Sequence, residues 1–229
     1  MEASSLNELR KVDIFKNLKE ETLEKLINVS TIKLIKKGKM LFWDKEKIND
    51  IYIILEGKVT VFKISEVANK RIMFILSEGE IINEVIVEED LNEASSCETF
   101  EDSKILKINK KDFINIMMMD FDFNKKVISS LTRKVRKLYR QLKNTSMLKI
   151  ERRVAAKLYR LAKDYGTEEE YGILIKLNIS ITYLADMLGV TRETVSRALK
   201  KLQELELINV IKRKIYIKDM DKLVYFFKH

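Results

Sequence analysis

Four polar side chains are grouped at the start of one short helical segment. The segment is TRETVSRALKKL, residues 191–202, and the polar residues are Arg192, Glu193, Ser196 and Arg197. Arginine can donate two parallel hydrogen bonds to guanine O6 and N7, and glutamate can accept one from cytosine N4. These residue types at helical spacing predict contacts with DNA bases, and we call the four residues the recognition set. The alternative is an ordinary charged helix surface.

Residues 181–200, ITYLADMLGVTRETVSRALK, match a helix-turn-helix. Ala185 is small where the second helix must cross the first, and Gly189 can end the first helix in a left-handed conformation. Ser180 and Thr191 stand where each helix needs an N-cap. Apolar residues occupy the positions where the helices pack, namely Leu184, Leu188, Val190, Val195 and Ala198. The recognition set would then project from the exposed N-terminal end of the second helix, which enters the major groove.

Other polar residues near this motif suit the phosphate backbone of DNA. Thr182, Thr191 and the helix N-terminus are placed for phosphate contacts. The segment INVIKRKIYI predicts a β-hairpin that would lie against the backbone as a wing. The tip of this hairpin consists of three basic residues, Lys212, Arg213 and Lys214.

Basic residues are concentrated in the second half of the 229-residue chain. Residues 1–120 hold 19 Lys and Arg against 23 Asp and Glu, whereas residues 121–229 hold 25 against 12. A mildly acidic half and a strongly basic half predict a separate module that meets a polyanion. A generally lysine-rich composition with solvated surfaces is the alternative, so charge alone favours nucleic acid only weakly.

Scarce residue types exclude several classes of function. With one cysteine, Cys97, the chain has no internal disulfide and no multi-cysteine zinc or iron–sulfur site. The only histidine is the last residue, His229, which removes histidine triads and cupin-type metal clusters. We therefore predict no catalytic residue, no metal and no evident cofactor. Alternation within SSCETF favours a buried strand thiol at Cys97 over a redox switch.

The composition predicts a folded protein that does not enter a membrane. Hydrophobic residues make up 46% of the chain, enough for a packed core. The longest apolar runs, such as IYIIL, are far too short to span a bilayer. The N-terminal residues MEASSLNELRKVDIF contain no apolar signal core, so we expect a cytoplasmic location.

Residues 31–108 predict a series of short strands. The strand-like runs are TIKLI, IYIILEG, KVTVFKI, RIMFIL, EIINEVIV and SKILKI. Gly38, Gly57 and Gly79 fall between these runs or at their ends, where turns need a permissive backbone. Many short strands without crossover helices indicate an antiparallel barrel or roll. Two short helices, SLNELRKVDIF and KEETLEKLINVS, would precede it.

A long helix is predicted from about Phe123 to Asn144. Its apolar residues follow a strict spacing of three and four, and they are Ile128, Leu131, Val135, Leu138 and Leu142. We call these five residues the seam. A narrow a/d stripe with basic flanks is typical of a helix that pairs with a copy of itself. The alternative is an amphipathic helix lying on its own barrel. Met117, Met118 and Met119 just before it are expected to pack where the barrel meets the long helix, and the alternative is that they line a pocket for an apolar effector.

These features predict an α+β chain of three parts. Residues 1–120 would form an antiparallel β-roll, and residues 121–146 a dimerisation helix. Residues 147–229 would form a winged helix-turn-helix domain.

The chain resembles the Crp/Fnr superfamily of bacterial transcription regulators along nearly its whole length. RETVSR is similar to the family's recognition-helix signature, and IYIILEGKVTVF to the glycine-turned hairpin of its β-roll. The resemblance implies that the roll is of the cyclic-nucleotide-binding, jelly-roll type and serves as a sensor. It implies base contacts by the recognition set and a homodimer on double-stranded DNA. It implies a palindromic site with TGTGA or TTGA half-sites about 34 Å apart. It also implies a contact with RNA polymerase.

The sensor half departs from the cAMP-binding pattern of this family. By resemblance Glu84 stands at the ribose position, but Asn83 replaces a glycine, and Ala94 with Ser95 stands where an Arg-Ser pair would hold the phosphate. Without that arginine a cyclic phosphate loses its charge-assisted partner. On the long helix, Leu138 and Tyr139 replace the polar pair for the adenine. The resemblance therefore implies an effector other than cAMP, or none.

Three hypotheses of different class follow. The first is a homodimeric, sequence-specific DNA-binding transcription regulator with an unidentified effector. The second is a ligand-binding signalling module with weak or vestigial DNA binding, which fits poorly with intact Arg192 and Arg197. The third, a cupin-like enzyme, lacks the histidine ligands that such a site needs.

Overall fold

The computed structural model describes residues 2–64, 70–84, 95–147 and 149–229. The described residues separate into two compact units. The first consists of residues 2–64, 72–84 and 95–136, and the second of residues 70–71, 137–147 and 149–229, so that one division falls within a long helix, between Arg136 and Lys137. The α+β class is confirmed, as is the predicted order of a β-rich region, a long helix and a helix-turn-helix. Among the described residues, no helix is both long and apolar enough to cross a membrane.

The first unit is a roll of two antiparallel sheets preceded by short helices. The helices are α1 (Glu2–Lys11), a 3-10 turn (Asp13–Phe15) and α2 (Glu20–Val29). The strands are β1 (Ser30–Ile35), β2 (Met40–Phe42), β3 (Asp50–Glu56), β4 (Lys58–Ile64), β5 (Lys70–Ser77), β6 (Ile81–Ile82), β7 (Ser96–Thr99) and β8 (Ser103–Asn109). One sheet has the order β1-β8-β3-β6 and the other β2-β7-β4-β5.

All six predicted strand regions contain an observed strand, but in the run EIINEVIV the strand covers only two of the described residues. Of that run only Ile81–Ile82 forms β6, because Asn83 follows with a positive φ of 73°, and residues 85–87 lie outside the described residues. Strand β2 has only three residues, too few for alternation to reveal it.

Strand β3 is central to the roll because both of its faces are buried. Ile51 and Ile53 belong to the apolar cluster formed with the helices of the first unit. Tyr52 and Ile54 belong to a second cluster, which includes residues of both sheets. A strand buried on two faces reads as a continuous apolar run, which explains the sequence IYIIL.

A glycine is required at the turn that joins β3 to β4. Gly57 has a φ of 86°, a left-handed conformation that disfavours other residues. A Cβ at this position would lie 2.5 Å from the carbonyl oxygen of Asp102. The tight connection from β3 to β4, which lie in different sheets and do not pair as a hairpin, therefore depends on this residue.

The structure corrects the prediction for two of the three methionines. Met117 packs against the core of the first unit, as expected. Met118 is 80% exposed, and Met119 is exposed and accepts a hydrogen bond on its sulfur from Lys25 Nζ. Met118 and Met119 lie in the last turn of α3 (Lys110–Met119), beyond the face that the core covers. Cys97 is fully buried on β7, as alternation predicted.

Asp120 sets the start of the long helix α4 (Phe121–Met147). Its Oδ1 accepts hydrogen bonds from the backbone N–H of Asp122 at 2.8 Å and of Phe123 at 3.0 Å. Its Oδ2 accepts one from Thr22 Oγ1 at 2.6 Å, which ties α2 to this junction. Burial alone would raise the pKa of the Asp120 carboxyl, but these hydrogen bonds outweigh it and lower the pKa.

The second unit combines a helical core with a small sheet. Its helices are α5 (Ile150–Tyr165), α6 (Ile181–Leu188), α7 (Arg192–Glu204) and α8 (Met220–Lys228). Its strands are β9 (Gly166–Glu169), β10 (Gly172–Ile175), β11 (Ile208–Ile211) and β12 (Lys214–Ile217), in the order β11-β12-β10-β9. The helix-turn-helix and the wing hairpin predicted from the sequence are present, and β9 is an additional strand. Its GTEE sequence is exposed along its whole length, so it has no apolar face to reveal it.

Substitution Asp120→Ala should destabilise the first unit by about 2–3 kcal/mol, since it removes an N-cap and a buried hydrogen bond to a charged group. The single tryptophan, Trp43, belongs to this unit, so urea unfolding followed by its fluorescence measures the effect. The matched control is Asp122→Ala, whose exposed carboxyl should contribute less than about 0.5 kcal/mol. Equal losses for the two variants would contradict this role.

The same carboxyl predicts a dependence of stability on pH. A group whose pKa is lower in the folded state stabilises the fold above its unfolded pKa, which is about 4 for Asp. That contribution is lost as the pH falls through the lower folded value. Asp120→Asn should therefore lose less stability than the wild type below about pH 4.

Candidate nucleic-acid interface

The turn between α6 and α7 is formed by the residues that the sequence analysis assigned to it. Ser180 Oγ accepts a hydrogen bond from the backbone N–H of Tyr183 at 3.0 Å, and Thr191 Oγ1 accepts one from Thr194 at 3.3 Å. Gly189 ends α6 with φ 64° and ψ 45°, a left-handed cap. Both N-caps and the glycine turn are therefore where the motif requires them.

Apolar residues on the inner faces hold the two helices together. Leu184 and Val195 are fully buried, and Ala185 and Ala198 are nearly so. Val190 in the turn is half-buried, and its backbone N–H donates to the carbonyl of Ala185 at 3.2 Å. Because α7 is buried along this face, its opposite face is directed to solvent.

All four members of the recognition set are exposed. Arg192 and Glu193 lie in the first turn of α7, and Ser196 and Arg197 in the second. The pKa of the Glu193 carboxyl is lowered, first by a hydrogen bond from its own backbone N–H and next by one from the side chain of Thr191. Arg192 and Arg197 lower it further. Near neutral pH this carboxylate is ionised and can act only as a hydrogen-bond acceptor.

The predicted wing is a tight hairpin, and its turn is strained. Strands β11 and β12 pair from Ile208 with Ile217 to Ile211 with Lys214, so the turn has two residues. These residues, Lys212 and Arg213, have positive φ values of 49° and 65°. Two-residue turns of this kind favour Asn-Gly, and lysine or arginine in a left-handed conformation costs about 1 kcal/mol or more. The strained turn places exposed cations at the tip.

The two threonines predicted near phosphates are also exposed. Thr182 lies in the first turn of α6, and Thr191 is the N-cap of α7. Both are therefore accessible to a ligand at the helix N-termini, where backbone N–H groups favour anions.

Helix α4 exposes the whole predicted seam. The exposed fractions are 55% for Ile128, 39% for Leu131, 44% for Val135, 39% for Leu138 and 69% for Leu142. A second stripe of the same helix is buried against the roll, and it contains Phe123, Val127, Ser130 and Lys134. One face of the helix therefore lies on its own roll, whereas the seam is left exposed on another face.

The residues predicted for an effector pocket are not in similar environments. Glu84 is buried, whereas Leu138 and Tyr139 are exposed on α4. Ser95 is half-buried, and Ala94 lies outside the described residues. The structure adds Lys134, which the sequence did not reveal. Its Nζ donates to the Glu84 carboxylate and, at 2.6 Å, to the carbonyl oxygen of Ile81. The signal that could have revealed Lys134 is its helical spacing from Phe123 and Val127.

Comparison with protein families gives two matches. The Crp-like helix-turn-helix domain matches residues 152–226, and the cyclic nucleotide-binding domain matches residues 32–120. The first range contains α6, α7 and the wing, and the second contains most of the roll.

Two curated relatives are regulatory proteins whose names point to different signals. The CRP-like cAMP-activated global transcriptional regulator of Mycobacterium tuberculosis is 21% identical over 82% of this chain and 84% of its own length. The anaerobic regulatory protein of Bacillus subtilis is 25% identical over 84% of this chain and 82% of its own. A structure of a CooA mutant from Carboxydothermus hydrogenoformans has a TM-score of 0.77 at 22% identity, and the alignment covers 88% of this chain and 89% of that one. The structural likeness shows a shared fold.

Proposed function

We propose that this chain acts as a homodimer on a palindromic operator with TGTGA- or TTGA-type half-sites. The premise is that the chain belongs to the Crp/Fnr family of DNA-binding transcription regulators. The main supporting observation is the exposure of the whole recognition set on a helix that is capped and buried on its other face. A structural role would not require two arginines and a glutamate to be left in solvent there.

Each member of the recognition set has a chemically suitable base partner. Arg192 and Arg197 are proposed to bind guanine O6 and N7, and Glu193 to accept from the N4 amino group of cytosine. The lowered pKa of Glu193 supports its acceptor role. Ser196 can donate to a base or accept from one. Phosphates are proposed to bind at Thr182, Thr191 and the wing cations.

The homodimer is supported by the exposure of the seam. Five apolar residues at a/d spacing form a narrow stripe in solvent, and a second copy of α4 would cover it. A palindromic operator follows from the two-fold symmetry of such a dimer. In this proposal residues 1–120 are the sensor, 121–146 the dimerisation helix and 147–229 the DNA-binding domain, with RNA polymerase as a further partner by family analogy.

The signalling-module hypothesis would leave the recognition set without a role. A direct comparison separates the two hypotheses, namely binding to a duplex with two TGTGA or TTGA half-sites and to a scrambled duplex at the same salt concentration. The regulator should prefer the operator by about 10³-fold or more, whereas a vestigial site would bind both equally.

Substitution Arg197→Ala should weaken operator binding by roughly 1–3 kcal/mol and relax the choice of base at one position in each half-site. Fluorescence anisotropy with a set of single-base operator variants measures both effects. Lys201→Ala removes the same charge one turn further along α7 and serves as the matched control. If both variants lose affinity equally and keep the same base preference, Arg197 does not read a base.

Substitution Leu138→Glu should produce monomers, because it would bury two like charges in the seam. We expect the dimer dissociation constant to rise by at least about 100-fold, which corresponds to roughly 2.7 kcal/mol. Sedimentation equilibrium measures it. Arg140→Glu introduces the same residue on another face of α4 and should leave the dimer intact. A full dimer in Leu138→Glu would show that the seam is not the interface.

The strained wing predicts opposite effects on stability and affinity. The double substitution Lys212→Asn with Arg213→Gly places favoured residues in the turn and should stabilise the second unit by about 1 kcal/mol. It also removes two cations from each subunit, four from the dimer, so the slope of log affinity against log salt should fall by about 4 without a change in base preference. An unchanged slope would remove the wing from the DNA contact.

A further inference from the structure

We propose that the roll contains an ammonium-binding site, and that the side-chain ammonium of Lys134 from the same chain occupies it. This contact makes dimerisation and operator binding independent of a cyclic nucleotide. The part that concerns the operator rests on the proposed function. The site consists of the Glu84 carboxylate and the carbonyl oxygen of Ile81, both of which accept from Lys134 Nζ. Each oxygen belongs to the roll, whereas the ammonium belongs to α4.

The site is shielded from water. The Lys134 side chain is 11% exposed and that of Glu84 only 6%. A buried pair of this kind is costly to break, because removal of one charge leaves the other without compensation. Two further polar atoms, Asn83 Oδ1 and Ser130 Oγ, are buried without a hydrogen-bond partner in the described part of the chain. Asn83 adjoins Glu84, and Ser130 precedes Lys134 by one helical turn.

A cyclic nucleotide does not fit these residues. The family resemblance assigns Glu84 to the ribose hydroxyls, but here the carboxylate is already paired with a cation of its own chain. Of the predicted adenine contacts, Leu138 and Tyr139 offer an apolar side chain and a phenol, and both are exposed. At the position where the family binds phosphate, the sequence has Ala94 and Ser95 instead of an Arg-Ser pair. Lys134 thus connects the roll to α4 in the place of a bound cyclic nucleotide.

The position of Lys134 on α4 relates this site to the seam. Lys134 directly precedes the seam residue Val135 and follows Leu131 by three positions. The rotation of α4 that brings Lys134 against Glu84 therefore also sets the direction in which Leu131 and Val135 project. Without the ammonium, α4 loses a charged contact that holds this rotation, and the seam should associate less well.

Chemical complementation tests the proposal. Lys134→Ala should raise the dimer and operator dissociation constants by at least roughly tenfold, since it leaves Glu84 unpaired. Propylammonium has the atoms removed by this substitution, so tens of millimolar of it should restore both constants. Tetramethylammonium at the same ionic strength has no N–H to donate and should restore neither. Cyclic AMP should change neither constant of the wild type.

Two controls keep the result specific. Lys125→Ala removes an exposed lysine of α4 and should show neither the loss nor the response to propylammonium. Lys134→Met retains an apolar stem of similar length without the ammonium, and it should be as impaired as Lys134→Ala. The fluorescence of Trp43 reports whether the first unit of each variant is folded.

Several results would overturn the proposal. These are unchanged constants in Lys134→Ala, equal recovery with both cations, full function of Lys134→Met, and a wild-type dimer that needs cyclic AMP. If the wild type fails to bind any operator, the proposed function is wrong, but the dimer measurements still test the ammonium site. The two failures are therefore distinguishable.

Discussion

Helix α4 presents one stripe to the roll and the seam to solvent. The proposed dimer and the Glu84–Lys134 contact both depend on this division of its faces. One stripe, which includes Phe123, Val127 and Lys134, is covered by the roll. The seam lies on another face and stays exposed although it is apolar. Burying a stripe of leucine, isoleucine and valine releases roughly 25 cal/mol for each Å² of apolar surface removed from water, so the exposed seam favours association with a second chain. Asp120 determines where this helix starts, and the Glu84–Lys134 pair restricts its rotation.

The chemistry of DNA recognition requires a rigid second unit, which its packing supplies. The recognition set can be solvated because the opposite face of α7 is fully buried through Val195, Ala198 and Leu202. The turn of the wing is strained, since Lys212 and Arg213 adopt left-handed conformations that other residues would occupy with less strain. Part of the basic charge of residues 121–229 lies on exposed residues of α7 and of the wing tip, where a polyanion can reach it.

Local chemistry made the second unit largely predictable from sequence. Ser180, Gly189 and Thr191 act on their immediate neighbours, so their roles follow from residue type and position. The seam was predictable because its heptad spacing is a property of one helix. The Glu84–Lys134 pair was not, because it joins residues 50 positions apart and depends on how α4 lies on the roll. The exposure of Met118 and Met119 depends on the same tertiary placement. The domain bounds, the base contacts and the effector stay predictions.

Two copies of α7 are proposed to read a symmetric DNA site. Selection of bound sequences from randomised duplex DNA, with purified protein and no added effector, tests this recognition. We expect enrichment of an inverted repeat with TGTGA or TTGA half-sites whose centres lie about one helical turn, or roughly 34 Å, apart. Enrichment of a single unpaired half-site would contradict the dimer. No enrichment at all, from protein that still binds DNA, would contradict sequence recognition by α7.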